Sequence, residues 1–528
     1  MNDIPSDFDK ARALHLSGRS SEARPIYEAM LKNRPQHADA LHMLGMTHFE
    51  EGRFDVAEGL VAQAVELDSR NAAYLNNYSL ILIKLGRQCE AFEAIANSLE
   101  LDPDDANTYY NLALNIQGFG LIQESIPVLE AALAYNPDNH LIHNNLAYAL
   151  QRVGELKSAA WHFRQALRLR PEFASARFNR ALLDIACGEF ERGWLEYEWR
   201  WQLPTQALER RNFPRPSWDG RPLNGKTILL HAEQGIGDTI QFARYVPMVK
   251  ERGGRVIMLV DQSRTGLAEL FQSLAGVDEI YTNAADLPNF AFHCPLGSLP
   301  LLFETRVDTI PAKFPYLAAG ANAKRQWQER LAPFKGLKVG LVWAGRAMHR
   351  NDRFRSLYQP KDQIGTTKAV PDFNKMMARV ASLPNLGGLA DSPRTPAADN
   401  ASLEVLFDIE GIDWFSLQVG ERQSDLPKPL FTTLTDLSAH LTNFEQTAAA
   451  LEELDLLITV DTSVVHVAGA LGRPALLLKS KAPEWRWPSG QETSPWYPSV
   501  EVFEQKRLGD WTDVIDRTAG QLREMVSL

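Results

Sequence analysis

Six glycines, Gly18, Gly52, Gly86, Gly120, Gly154 and Gly188, stand 34 residues apart and set a ruler along the first half of this 528-residue chain. Pro35, Pro103, Pro137 and Pro171 keep the same period, with Ser69 in the remaining proline slot. Two sets of small residues follow it as well: Ala23, Ala57, Ala91, Ser125, Ala159 and Gly193, and then Gly45, Ser79, Ala113, Ala147 and Ala181. Each element of the pattern has a physical job. Glycine reverses the chain between two helices where positive φ is needed. Small residues let the paired helices approach closely, and proline stops the second helix.

A helix–turn–helix unit of 34 residues is the tetratricopeptide (TPR) period. Five full repeats are expected over 4–173, followed by a sixth from Ala174 that degrades into GEFERGWLEYEWRW (188–201). A solenoid end needs a modified cap. The aromatic run Trp194, Tyr197, Trp199 and Trp201 suits a cap that packs against a following domain; an aromatic ligand box is the alternative.

Asn77, Asn111, Asn145 and Asn179 also lie one repeat apart, on the first helix of their units. An amide both donates and accepts. Such a row on a concave face can therefore hold an extended peptide by its backbone, and it resembles the asparagine ladder in the TPR arm of the O-linked N-acetylglucosamine transferases. A scaffold role at that repeat position is the alternative.

The second half changes character. A Pro-, Arg- and Trp-rich segment from Pro204 to Asn224 reads as a linker or docking segment. Strand, glycine turn and helix then alternate through KTILLHAEQGIGDTIQFARYVPMVK (226–250) and RVIMLV (255–260), and again from KVGLVWAG (338–345) to the segment 443–478. That alternation predicts parallel, doubly wound sheets, which bind ligands at strand carboxyl ends. Residues 358–401, rich in Pro, Gly, Asp and Thr, read as an inserted surface loop. It serves either as a neutral insertion or as a lid or acceptor-recognition element.

Three turns carry candidate chemistry. AEQGIGDT has Gly235 and Gly237 but neither the dinucleotide fingerprint nor a Walker loop; Asp238 there is either a functional carboxylate or a helix cap. TVDTSVVH places Asp461, Thr462 and Ser463 at a helix start, with His466 one turn in. That is a phosphate site or a capping triplet with a core histidine. Directly after a strand, AGRAMHRNDRFRS gathers Arg346, His349, Arg350, Arg353 and Arg355. These suit a diphosphate, or form a solvated charge run.

Taken together, EQGIGD, WAGRAMHRNDRFRS, FSLQ (415–418), TVDTSVVHVAGALGRP and APEWRW…SPWYPS resemble the TPR-fused glycosyltransferases related to family 9, the heptosyltransferase family. The resemblance implies an α + α/β chain, a TPR α-solenoid followed by a GT-B glycosyltransferase of two Rossmann-like domains. The expected boundaries are 1–202 for the solenoid, 203–325 for the acceptor-side domain and 326–528 for the nucleotide-sugar side. It places the general base on Asp238 and the diphosphate turn on Asp461 and Thr462, with Ser463 where the family has glycine. It matches His466 to the family's histidine, and sets Gln418 and Val419 beside the base of the nucleotide. Trp485, Arg486 and Trp487 would floor the sugar pocket, or pack in the core. The implied reaction is inverting transfer from a nucleotide-diphosphate sugar to an acceptor hydroxyl. The acceptor is expected to be a protein held by the TPR arm. A lipopolysaccharide or other glycan acceptor, or a TPR scaffold with an inactive transferase half, are the rival readings.

Composition narrows the remaining classes. The formal net charge is −11, and residues 1–202 carry 19 Lys and Arg against 28 Asp and Glu. With no basic excess in either half, a nucleic-acid partner is not expected. No Asp-x-Asp occurs in 203–528, so no cofactor or obligatory metal is expected, the diphosphate charge being met by arginines and a helix terminus. Three scattered cysteines, Cys89, Cys187 and Cys294, no apolar span long enough for a bilayer and no leader-like start give an expected cytoplasmic location. The sugar, the nucleotide and the oligomeric state are not specified by the sequence.

Overall fold

Each periodic glycine lies in the left-handed region, with φ from +75° to +91°. At Gly18, Gly52, Gly86 and Gly154 an added Cβ would meet nothing within 4 Å. The residue is therefore required by backbone conformation and not by space. The turn closes in the same way in successive repeats. Gly52 N–H donates to Phe49 O (3.0 Å) and Arg53 N–H to His48 O (2.9 Å), as Arg87 does to Leu82 O (2.9 Å). These bonds satisfy carbonyls left open at the helix end.

A computed structural model describes residues 6–204, 210–261, 266–345, 356–357, 378–383, 386 and 403–527. Twelve α-helices, from Asp7–Leu16 to Phe190–Tyr197, precede the first strand among these residues. The first half is a helical TPR solenoid and the second an α/β region of parallel sheets. The described residues divide into two compact units, one within 1–150 and 361–395, the other within 151–360 and 396–528. The division falls inside the helical array at residue 150, and not at 202 where the repeats end.

In the first unit, paired helices such as Ala38–Glu50 and Phe54–Leu67 bury the small residues expected at their seam, Ala23, Ala57, Ala91 and Ser125. Gly45 is needed there for closeness, since a Cβ on it would stand 2.5 Å from Val61 Cγ2. A second ladder, not singled out in the sequence, caps the first helix of successive repeats. His37, Asn71, Asp105 and Asn139 accept from the backbone N–H three residues on. Of the expected insertion, residues 378–383 belong to this unit, where Arg379 donates to Glu100 Oε1 (2.8 Å) and Asn97 Oδ1 (2.7 Å). The rest of 358–401, apart from Leu386, lies outside the described residues.

The second unit starts with the last helices, Leu156–Leu169, Ala174–Ala186 and Phe190–Tyr197, and contains both sheets. The first sheet has order β3-β2-β1-β4, with β1 Thr227–His231, β2 Arg255–Leu259, β3 Glu279–Tyr281 and β4 Phe292–Pro295. The second has order β10-β9-β8-β5-β6-β7, with β5 Leu337–Val342, β6 Ile412–Ser416, β7 Thr435–Asp436, β8 Leu456–Val460, β9 Ala475–Lys479 and β10 Val500–Glu504. All paired strands are parallel. Their apolar runs are buried as such sheets require. In each sheet the strand order reverses about the first strand in sequence. The crevices fall at the carboxyl ends of β1 and β4, and of β5 and β8.

Two glycines of the second repeat should respond oppositely to alanine. Gly52→Ala forces a left-handed alanine and should cost about 1–2 kcal/mol. Gly59, inside helix Phe54–Leu67 with open space around it, should gain about 0.5–1 kcal/mol on becoming alanine. Urea or thermal unfolding of the two variants measures both signs.

Candidate functional site

The carboxyl end of β1 runs through Ala232, Glu233 and Gln234 into the glycine turn and helix Ile236–Ala243. Gln234 has φ +55°, a left-handed conformation uncommon for a residue with a Cβ. Asp238 occupies the third helical position and its Oδ2 accepts from Gly235 N–H at 3.1 Å. It is thus a helix cap, as one reading of the sequence had it. Its other oxygen accepts from Arg486, which also pairs with Glu484 and lies over the Trp485 ring at 4.1 Å. Cap and ion pair are therefore combined in one largely buried carboxylate.

Gly237 is a point of close approach, and its neighbour is the second sheet's helix. A Cβ there would stand 2.7 Å from His466 Cδ2 and 3.0 Å from Nε2. His466 sits on helix Ser463–Ala470, which follows β8. Its Nδ1 is 3.0 Å from Tyr497 Oη. Burial pushes its proton affinity down to a pKa of about 4, so it is neutral at pH 7. At the start of the same helix, Thr462 caps by accepting from Val464 N–H (3.3 Å), and its hydroxyl lies 3.3 Å from that of Thr459. Asp461 and Ser463 flank it, partly exposed. The crevice end of β1 and the crevice end of β8 are thereby joined through Gly237, Asp238, His466 and Arg486.

The remaining candidates are placed as follows. Gln418 is buried, and its Oε1 accepts from Trp343 N–H (3.2 Å) and Ala344 N–H (3.0 Å). It thus binds the end of β6 to the end of β5, and Val419 beside it is exposed. Trp485 and Trp487 are buried in the aromatic core, the second of the two roles the sequence allowed. Arg346, His349, Arg350, Arg353 and Arg355 lie outside the described residues. In the first unit, the ladder amides donate to the preceding repeat. Asn77 lies 2.8 Å from His42 Nε2, Asn111 donates to Asn76 Oδ1 (2.7 Å), and Asn145 donates to Tyr110 Oη (2.9 Å). Asn179 is in the second unit.

Among the site's surroundings, Arg244, Arg200 and Glu233 were not singled out from the sequence, and Tyr197 was named only as part of the aromatic run. Arg244, buried at the end of helix Ile236–Ala243, donates to Trp496 O (2.7 Å) and faces the rings of Phe314, Tyr316, Trp496 and Tyr497. Tyr197 donates to Gln234 Oε1 (2.7 Å), and Arg200 to Glu233 (2.8 Å). The only signal for the last pair was the aromatic run containing them. Among the described residues no three His, Cys, Asp or Glu side chains cluster as metal ligands, and no helix is long and apolar enough to cross a membrane.

Residues 421–510 match the glycosyltransferase family 9 (heptosyltransferase) model, and residues 14–78 a tetratricopeptide repeat model. The former span contains Asp461, Thr462, Ser463, His466 and Arg486, and not Asp238. Protein FlbA of Caulobacter vibrioides is 26% identical over 376 residues, which cover 67% of this chain and 56% of FlbA. The chain thus spans little more than half of that relative. Among solved structures, the APC/C hetero-tetramer Cut9-Hcn1 is 17% identical, with 38% of this chain and 40% of that chain covered and a TM-score of 0.36. Pseudomonas aeruginosa pilF is 21% identical, with 39% and 91% covered and a TM-score of 0.33. The chain joins tetratricopeptide repeats to a glycosyltransferase family 9, heptosyltransferase-type domain.

Packing at Gly237 gives a direct expectation. Gly237→Ala should destabilise by about 1–3 kcal/mol through overpacking against His466, and His466→Ala in the same chain should recover part of that loss, as read by urea unfolding.

The buried imidazoles of His42 and His466 both have pKa pushed down to about 4 by burial, from 6.5. The unfolded chain then takes up protons first on acidification. Their contribution is complete above 6.5 and is lost as pH falls towards about 4. Imidazole NMR signals of both residues should remain in the neutral position at about pH 5, while the melting temperature declines.

Proposed function

We propose that this protein is an inverting glycosyltransferase that uses a nucleotide-diphosphate sugar without an obligatory metal and glycosylates a protein held by its TPR arm. The observation that carries the reading is the meeting of the Gly237–Asp238 turn, at the β1 crevice, with the family 9 region, Gly237 against His466 and Asp238 against Arg486. In this reading the two sheets act as the halves of a GT-B enzyme.

The acceptor hydroxyl attacks the anomeric carbon from the side opposite the leaving nucleotide. Asp238 takes its proton, an effect typically worth about 10²–10⁴-fold. The diphosphate gains charge as it leaves and needs fixed positive partners. The start of helix Ser463–Ala470, with Thr462 and Asp461 at its cap, lies at the carboxyl end of β8, where such a group binds. Arg486 is the second partner, and Arg346, His349, Arg353 and Arg355 are assigned to the same task. Arg486 holds Asp238 and balances its charge. Donor diphosphate competes for that guanidinium and releases a carboxylate oxygen for the acceptor proton. His466, neutral and packed on Gly237, fixes the spacing between the turn and the phosphate helix. Gln418 holds the β5 and β6 ends, beside which the nucleotide would lie.

The protein acceptor rests on the solenoid itself. Asn77 and Asn111 each spend a donor on the neighbouring repeat, Asn111 being buried, and Asn145 spends both, on Tyr110 Oη and Leu141 O. In this reading backbone recognition falls to the carbonyl oxygens of Asn77 and Asn145, together with Asn179. A specific observation favours one rival: both Asp238 oxygens already accept hydrogen bonds, as they would in an inactive transferase half serving as a scaffold.

A thermal-shift panel of UDP-, GDP-, ADP-, dTDP- and CMP-sugars identifies the donor. With it, Asp238→Asn should lower transfer or donor hydrolysis by about 10²-fold or more without weakening nucleoside diphosphate binding, since the neutral side chain competes less for Arg486. EDTA should leave the rate unchanged, and Thr462→Val should weaken nucleoside diphosphate more than nucleoside. Turnover by Asp238→Asn at the parent rate would remove the carboxylate from the chemistry, and metal-dependent turnover would remove the proposed phosphate site.

A further inference from the structure

The turn that carries Asp238 is held from outside its own sheet. Tyr197, the last residue of helix Phe190–Tyr197, is buried and donates its hydroxyl to Gln234 Oε1 at 2.7 Å. Gln234 is the residue with φ +55°, immediately before Gly235, whose N–H caps Asp238 Oδ2 at 3.1 Å. One residue earlier, buried Glu233 accepts from Arg200 at 2.8 and 3.2 Å and from Gly297 N–H at 3.0 Å. Arg200 lies in the short 3₁₀ turn Glu198–Gln202 that ends the TPR array. On the repeat side, Glu196 accepts from Arg177 of helix Ala174–Ala186 at 2.7 Å.

We infer that Tyr197 is a positioning residue: the final TPR cap holds Gln234 in its left-handed conformation and so aims Asp238. The inference rests on the proposed role of Asp238 as base. A non-glycine residue keeps such a conformation only where its surroundings over-determine it. Here the surroundings are the Tyr197 hydroxyl on Gln234 and the Arg200–Glu233 pair on the preceding residue. A small displacement of a catalytic group is costly in rate, by as much as about 10²-fold per ångström. The active turn is therefore a joint product of the repeats and the sheet.

The test is a double-mutant cycle in the full chain. Tyr197→Phe keeps the ring packing and removes the hydroxyl that donates to Gln234 Oε1. Gln234→Gly strands the Tyr197 hydroxyl. The double variant removes both members of this hydrogen bond, so the buried Tyr197 hydroxyl is not left facing a missing acceptor, and glycine adopts φ +55° unaided. With the nucleotide sugar chosen by thermal shift, Tyr197→Phe should lower kcat about tenfold with donor KM unchanged, and the double variant should return kcat to near the parent value. Hydrogen–deuterium exchange without ligand should follow the same pattern: faster across 232–240 in Tyr197→Phe, restored in the double variant, and unchanged across 463–470. Parent-like kcat and exchange in Tyr197→Phe, or no recovery in the double variant, would overturn the inference. Its failure is separable from that of the base assignment. An active Asp238→Asn variant removes the base whatever the cycle gives, whereas an inactive Asp238→Asn variant with an unresponsive cycle leaves the base and removes the positioning role.

Discussion

The burial of Trp194 is the contact on which the second unit depends. Its indole meets Phe242 of the first sheet's helix at 6.2 Å, and Trp485 and Trp496 of the second sheet's loops at 5.7 and 6.2 Å, all edge to face. Phe242 and Trp485 stack on each other at 6.1 Å. Large rings at such a node bury much apolar area and favour edge-on geometry. One side chain from the last repeat thus contacts elements of both sheets. This explains why the compact unit begins inside the helical array: the final repeats share a core with the sheets.

Around that node, polar groups do the finer alignment. Arg200, fully buried, answers Glu233 and Glu198, donates to Ser298 (2.8 Å), and lies over the Tyr197 and Trp201 rings. Such a pair adds little net stability over an apolar replacement, but removing one partner is expensive. It gives the junction a single geometry. Arg244 plays a comparable part on the other side of helix Ile236–Ala243, with backbone carbonyls and aromatic faces in place of a carboxylate.

Much of the fold was legible because it is written in short-range rules. The glycine period announced left-handed turns, and the small residues announced the helix seams. The apolar strands followed by glycine turns announced parallel sheets. The cap's packing against a following domain was legible too, since four large aromatics cannot remain in water at a solenoid end. The site was legible only in its pieces. Nothing in the AEQGIGDT turn names a neighbour for Gly237, and only the tertiary structure shows His466 against it. Arg486 and Asp238 are separated by 248 residues, and no local pattern pairs them. Gln234 gave no sign of its backbone conformation, because a glutamine has no intrinsic reason to be left-handed.

The hydrogen bonds between successive repeats have a consequence for how the chain could vary in length. His42 with Asn77, Asn76 with Asn111, and Tyr110 with Asn145 each connect residues 35 apart in sequence. The partner at each step is drawn from a different residue type, yet the offset stays fixed. Duplication or loss of a whole 34-residue block would keep every such offset, whereas an indel of any other size would shift one strip of amides out of register with the next. The array is thus quantised in length, its unit of change being the repeat.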